Sequence, residues 1–288
     1  MATYDEYIEL KFNYKFCDNV IEGKKHAIRM DSSKYETNFD ILMGKRIKAS
    51  DENLYKREVD IGGFCPPIRD ERYSHITLCL RNLIMIRGGY LNNNRYLLTK
   101  MFRSKILNIE PSLNYLEWNF GCYKNGEKEQ DDNPNIINCF NMLKEYKFPD
   151  ANTNKKIIIE EPGLSEFYHA HKTPNLIPFK VPQDLKSLMW LINHGYPIFC
   201  GIVMFNSAVS KDNYTFGTFT TPILDSEKSI GSHCVLIVGY NQDKKFFILM
   251  NTISSNWGVR GRGVIPYDYI LDPRLAGDFW TITCEGYL

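Results

Sequence analysis

From Gly195 to Phe279 the chain runs in short β-branched and aromatic stretches, each stopped by turn residues, and this rhythm restricts the fold more than any other feature. Tyr196 to Phe205 (YPIFCGIVMF), His233 to Tyr240 (HCVLIVGY) and Lys244 to Asn251 (KKFFILMN) have the composition of strands. Asn241-Gln242-Asp243-Lys244 joins two of them as a β-hairpin. Upstream the pattern changes. Ile76 to Ile86 (ITLCLRNLIMI) is apolar over a length that suits a buried helix better than a strand. Tyr96 to Ile106 and Asn135 to Tyr146 read as helices. Pro182 opens another, QDLKSLMWLINH, which Gly195 closes from the C-cap position. Residues 121–135 read as a polar loop and 151–180 as extended segments and loops. Helices followed by strands imply an α+β chain or two lobes, with a ligand cleft between them.

Composition removes several function classes. Hydrophobic residues are 43% and charged residues 24% of 288, ordinary values for a soluble globular chain long enough to bury a core. A formal net charge of +1 argues against a nucleic-acid binder that tracks phosphates. The apolar runs fall short of the about 20 residues of a membrane helix. The start, MATYDEYIELKF, lacks the basic and apolar regions of a secretory signal, so a cytoplasmic setting is expected, in a host cell or a viral particle or inclusion. None of the eight cysteines forms a C-x-x-C pair, so neither a zinc site nor any other cofactor is expected. Several sit in apolar runs and read as reduced core thiols. The sharper alternative is an inter-chain disulfide.

His233 begins one strand of the hairpin and Asn251 ends the next, which folds both to one end of the sheet. An imidazole oriented by a side-chain amide is the base half of a nucleophile–His–Asn arrangement. The surrounding residues add specificity: His233-Cys234, Val238-Gly239-Tyr240, Asn251-Thr252-Ile253-Ser254-Ser255-Asn256-Trp257-Gly258, Pro266-Tyr267-Asp268-Tyr269 and Asp278-Phe279-Trp280. Together they resemble the papain-like cysteine peptidases, of the signal-less kind found in bacteria and large DNA viruses. The resemblance covers about residues 59–282. It implies a two-lobe α+β fold, with a helical N-terminal lobe (about 59–180) built on a long central helix. A C-terminal lobe (about 181–288) of antiparallel sheet or barrel would follow, and residues 1–58 would form an N-terminal arm.

The same resemblance places the other half of the site. Val59-Asp60-Ile61, Cys65-Pro66-Pro67-Ile68 and Asp70 match the family in register. That register sets Glu71 at the oxyanion-hole glutamine, His75 at a glycine and Thr77 at the nucleophilic cysteine, with Arg72 at a second glycine. A threonine alcohol is not ionised by the neighbours that activate a thiol. Losing an oxyanion donor costs about 2.7–4 kcal/mol, and an ionised Glu71 offers acceptors alone. Cys79, two positions past Thr77 on a helix, faces away from it. His169 and His171, two apart, would share one face of a strand.

These departures lead to a pseudoenzyme that retains Thr77, His233, Asn251 and Glu71 as degenerate catalytic positions. Its expected role is structural or self-assembling, of a viral or occlusion type. The alternatives are an atypical peptidase using Thr77 and a protein that holds a peptide in the dead cleft. Expected partners are further copies or such a peptide, with no nucleic acid and no membrane. Aromatic residues are 14%, including 18 Tyr and 17 Phe, types enriched at interfaces. The arm has too few apolar residues in any period to form its own core. It should pack on the body or on another copy, where an exposed Cys17 could lock the contact.

Overall fold

The computed structural model describes residues 3–8, 12–17, 56–64, 73–93, 109–121, 123–124, 127–128, 134–153 and 159–284. In chain order the helices are α1 (Tyr4–Ile8), α2 (His75–Asn93), α3 (Leu113–Asn119), α4 (Ile136–Tyr146), α5 (Leu164–Ala170), α6 (Leu185–Asn193), α7 (Lys211–Phe216) and α8 (Tyr267–Leu271). The strands are β1 (Phe12–Asn13), β2 (Glu58–Asp60), β3 (Tyr123–Lys124), β4 (Glu127–Lys128), β5 (Leu176–Lys180), β6 (Ile198–Phe205), β7 (Ser229–Asn241), β8 (Phe246–Met250), β9 (Arg262–Pro266) and β10 (Ala276–Cys284).

The large sheet runs β5-β10-β6-β7-β8-β9, every neighbouring pair antiparallel, with β1 and β2 added to β7. β6 and β10 are buried along their whole length, β6 as an unbroken apolar run and β10 with Asp278, Thr281 and Thr283 buried in it. The hairpin expected at Asn241 forms between β7 and β8, and the Asn241 side chain accepts from the Lys244 amide at 2.9 Å.

α2 lies against β6, β7, β10 and α3. It is buried nearly all round, the condition of a helix with no polar stripe. Two arginines are buried with it. Arg81 pairs with Glu110, and the Arg87 guanidinium covers the Tyr196 ring at 3.4 Å while donating to the carbonyls of His194 and Gly195. That second contact ties α2 to the turn after α6, where Gly195 takes φ +76°, the left-handed C-terminal position expected of it.

Several expectations change. Residues 151–180 contain a helix, α5, besides the strand β5. His169 lies in α5 and His171 caps it, so their spacing of two puts them about 200° apart and not on one strand face. The short β3–β4 hairpin forms inside the polar stretch 121–135. The helix expected over Tyr96 to Ile106 lies outside the described residues, as do Cys65 and Cys122. The six described cysteines form no disulfide and are buried, Cys17 among them at 1% exposure, so Cys17 is not an exposed thiol. No helix among the described residues is long and apolar enough to cross a membrane.

The described part of the arm packs on its own body. Tyr7, Phe12, Tyr14, Phe16 and Cys17 all enter the main core. Having no apolar period of its own, the arm orders by inserting these side chains singly. Gly201 is what admits them: a Cβ there would stand 2.5 Å from Tyr14 and 2.6 Å from Phe16.

Candidate active-site cleft

His233 sits in β7 with 2% of its surface exposed, and Asn251 follows β8 directly. The register of the hairpin brings them together, with His233 Nε2 2.9 Å from Asn251 Oδ1. The same oxygen accepts from the Thr252 amide at 2.8 Å, which fixes which way the Asn251 amide faces. His233 Nε2 therefore carries the proton and Nδ1 does not. Burial pushes the His233 pKa down to about 4, against the opposing effect of the Asn251 bond, so the ring is neutral near pH 7.

The group that meets this ring is His75, the first residue of α2. The two imidazoles lie edge to face with centroids 4.8 Å apart, and His75 Nδ1 is 2.9 Å from the Thr252 hydroxyl. Thr77 is placed elsewhere. Two residues along a helix is a rotation of about 200°, so a helix that turns His75 toward His233 turns Thr77 away. The Thr77 hydroxyl is fully buried 2.9 Å from Ser74 Oγ. Ser74 Oγ in turn donates to Glu117 at 3.0 Å, and the Ser74 amide donates to the same carboxylate at 2.8 Å. The structure thus brings His233 and Asn251 together, adds His75 and Thr252, and sets Thr77 in a separate polar cluster under the start of α2. Glu71 lies outside the described residues.

The readable signal for this offset was Ser74. Its hydroxyl accepts from the Thr77 amide at 3.3 Å, the bond an N-cap serine makes to the third residue of its helix. A helix capped by Ser74 starts at His75, two residues before the family register would start its nucleophile.

No described thiol takes the vacant role. Cys79 lies in the core with Sγ 3.6 Å from the Cys234 carbonyl oxygen. Burial pushes the thiols of Cys200 and Cys234 well above their ordinary range and that of Cys284 up to about 11. Among the described residues no three His, Cys, Asp or Glu side chains are placed to hold a metal ion.

The arm crosses this site. β1 pairs in parallel with the start of β7, Phe12 opposite Gly231 and Asn13 opposite Ser232. The Tyr14 amide donates to the Ser232 carbonyl at 2.9 Å, and the Ser232 hydroxyl donates back to the Tyr14 carbonyl. Phe12 packs edge-on against the His233 ring at 5.6 Å. Tyr14 runs on between Phe16 and Phe199, and its hydroxyl donates to Asp278 Oδ2 at 2.8 Å. Asn13, Tyr14, His75, Ile76, Ser232, His233 and Cys234 line one small cleft. Nothing in the local sequence announces this strand, because its partners are more than two hundred residues away.

No family model matches the chain. Over 88 residues, 31% of the chain, it is 42% identical to an uncharacterized peptidase C1-like protein, L477, of Acanthamoeba polyphaga mimivirus, and it spans 28% of that relative's length. Among solved structures it is similar to xylellain, a cysteine protease from Xylella fastidiosa, with TM-score 0.67 and 20% identity over 95% of this chain and 96% of that one. It is also similar to proCathepsin B S9 from Trypanosoma congolense (TM-score 0.59, 12% identity, 99% and 89% covered). A third likeness is to procathepsin L 3 of the Tenebrio molitor larval midgut (TM-score 0.54, 15% identity, 95% and 78% covered). The chain is an α+β protein of papain-like fold, with a long helix set against an antiparallel sheet and a His–Asn pair at the sheet end facing the start of that helix. The structural neighbours show this fold, and the 88-residue match makes that stretch similar to a peptidase C1-like protein.

Proposed function

We propose that the chain is a catalytically silent papain-like protein whose cleft holds a polypeptide segment without cutting it. The observation that carries this reading is His75 opposite His233. Papain-like hydrolysis needs a thiolate there, held by an imidazolium. The position holds a second imidazole, and burial keeps His233 neutral. Thr77 as nucleophile is disfavoured by its place against Ser74 and away from His75. The arm seated across the cleft supports the holding role, since its backbone and aromatic side chains already fill the groove beside His233. Assay of the full chain against a mixed fluorogenic peptide library should give no turnover above background. Turnover that disappears in His233→Ala or Thr77→Val would overturn the reading.

A self-assembling role is favoured by a separate observation. Phe216, Ile223 and Val259 are 62%, 67% and 69% exposed, on a chain of net charge +1. Burying them against further copies removes apolar surface from water with little charge repulsion. The mimivirus relative is compatible with a viral setting for this role. Sedimentation of the full chain over a wide concentration range tests this. A protein that stays monomeric throughout has no assembly role of its own.

A further inference from the structure

Asp278 is a buried carboxylate beneath the arm, reached from the cleft through Tyr14. It is 2% exposed and lies where β10 bulges between Gly277 and Trp280. Its backbone takes φ +53°, a left-handed conformation that a non-glycine residue adopts at a cost. The bulge re-aims the side chain toward the arm. There Oδ2 receives two arm donors, the Tyr14 hydroxyl at 2.8 Å and the Cys17 amide at 2.7 Å. Around that contact the groove is built for bulk without polarity: Phe199 and Phe16 flank the Tyr14 ring, and Gly201 leaves the space it occupies.

Burying a carboxylate under an aromatic ring is unfavourable unless the ring brings a donor. A tyrosine at the depth of Tyr14 supplies one. A phenylalanine there fills the same volume and leaves the carboxylate short of a bond. Sites built to bind a hydroxyl reject the analogue that lacks it far more strongly than apolar pockets reject a size change.

We propose that Asp278 is the specificity-determining residue of the cleft, selecting an extended segment that presents a tyrosine hydroxyl at the depth reached by Tyr14. This rests on the reading of the cleft as a holder of polypeptide. The arm is then its resident occupant, and an incoming segment must carry aromatic residues at alternate positions with tyrosine in the middle, as Phe12, Tyr14 and Phe16 do.

The test is a double-mutant cycle in the full chain, read by hydrogen exchange of the amides of residues 12–17. Tyr14→Phe should speed exchange by about 30-fold, the loss of one buried hydrogen bond to a carboxyl oxygen. In the Asp278→Gly background the same change should alter exchange by less than about threefold, because the acceptor is already gone. Glycine suits φ +53°, so this variant deletes the carboxylate without a backbone penalty. Asp278→Asn keeps an acceptor oxygen and should retain most of the discrimination, which guards against a folding defect in the glycine variant. Equal effects of Tyr14→Phe in all backgrounds overturn the proposal.

A second arm separates it from the reading beneath it. The full chain with its arm loosened by Phe12→Ala and Tyr14→Ala is titrated with labelled Phe-Asn-Tyr-Lys-Phe-Ser and with the same peptide carrying Phe for Tyr. Preference for the tyrosine peptide by about 30-fold, lost in Asp278→Gly, supports both ideas. Equal binding of the two peptides overturns selection by Asp278 and leaves the holding role standing. Binding of neither overturns the holding role for outside segments, and the exchange cycle still decides Asp278.

Discussion

Replacing His75 with cysteine places a thiol opposite His233, at the N-terminus of the long helix α2. An isolated thiol titrates near about 8.5, and a partner imidazole with a helix N-terminus lowers this to about 3.5–7.5. The buried His233 ring, with its pKa near 4, resists charging, so the upper part of that range applies and about 6.5 is a fair working value. At pH 5 such a thiol is about 100-fold richer in thiolate than an unperturbed one, while its lower basicity costs about eightfold in intrinsic nucleophilicity. The net is alkylation about 12-fold faster at pH 5, about threefold faster at pH 7 and about sixfold slower at pH 9. The shape of this profile does not depend on how far the arm restricts access, since access scales every point alike. Iodoacetamide labelling of the full-length His75→Cys variant, quantified by mass spectrometry of the modified peptide, gives the profile. Thr77→Cys serves as comparison. Its thiol would lie beside Ser74 and the Glu117 carboxylate, so it should label slowly and show no acid shoulder. An inflection at or above about 8.5 for His75→Cys, or the low inflection in Thr77→Cys, would refute the placement of position 75 opposite the base.

Three further outcomes follow from single contacts. His233, neutral when folded and titrating near 6.5 when unfolded, takes up a proton more readily in the unfolded chain, so its stabilisation is complete above pH 6.5 and is lost as pH falls toward 4. By pH 4.5 that loss is about 2.5 kcal/mol, and unfolding free energies from urea titrations at pH 7 and 4.5 should fall less in His233→Gln than in the parent by about that amount. Gly201→Ala puts a methyl group into the rings of Tyr14 and Phe16, which should cost about 1–3 kcal/mol and free the arm, seen as rapid exchange of residues 12–17 around a folded body. Glu117→Ala leaves the Ser74 amide and hydroxyl without their acceptor in a buried site and should lower stability by about 2 kcal/mol, and an unchanged urea midpoint would show that water takes over those bonds.

What the sequence made legible was local or carried by a hairpin. His233 and Asn251 could be paired in advance because a short connection at Asn241 to Lys244 fixes the register of β7 on β8, and Leu236 does stand opposite Met250. The sequence reads His75 as a turn position and not as the residue facing His233, for the converse reason. The register is carried forward from Cys65 through residues 65–72, which lie outside the described residues and show no apolar period in sequence that would fix a spacing. Only the cap at Ser74 could have corrected it. The arm's groove was illegible altogether. Tyr14 meets Asp278 across 264 residues, and the strand pairing that places it covers two residues of β1. Neither propensity nor alternation reports a contact of that kind.

The His233–Asn251 pair has structural duties that need no catalysis. Asn251 Oδ1 accepts from both His233 and the Thr252 amide, so it closes the turn leaving β8 and anchors that turn to β7. Thr252 then meets His75, and through it the first residue of α2. Remove the imidazole at 233 and a buried amide loses its donor, the β8 turn loses its tie to β7, and the Phe12 ring loses the face it packs against. Each loss leaves a buried group unsatisfied or a gap in the core, and such changes are the ones that commonly reach several kcal/mol. The cap of α2 does not depend on residue 75, because Ser74 caps the helix and Glu117 anchors Ser74. The His–Asn pair is therefore held in place by the fold itself, whatever the side chain opposite it does.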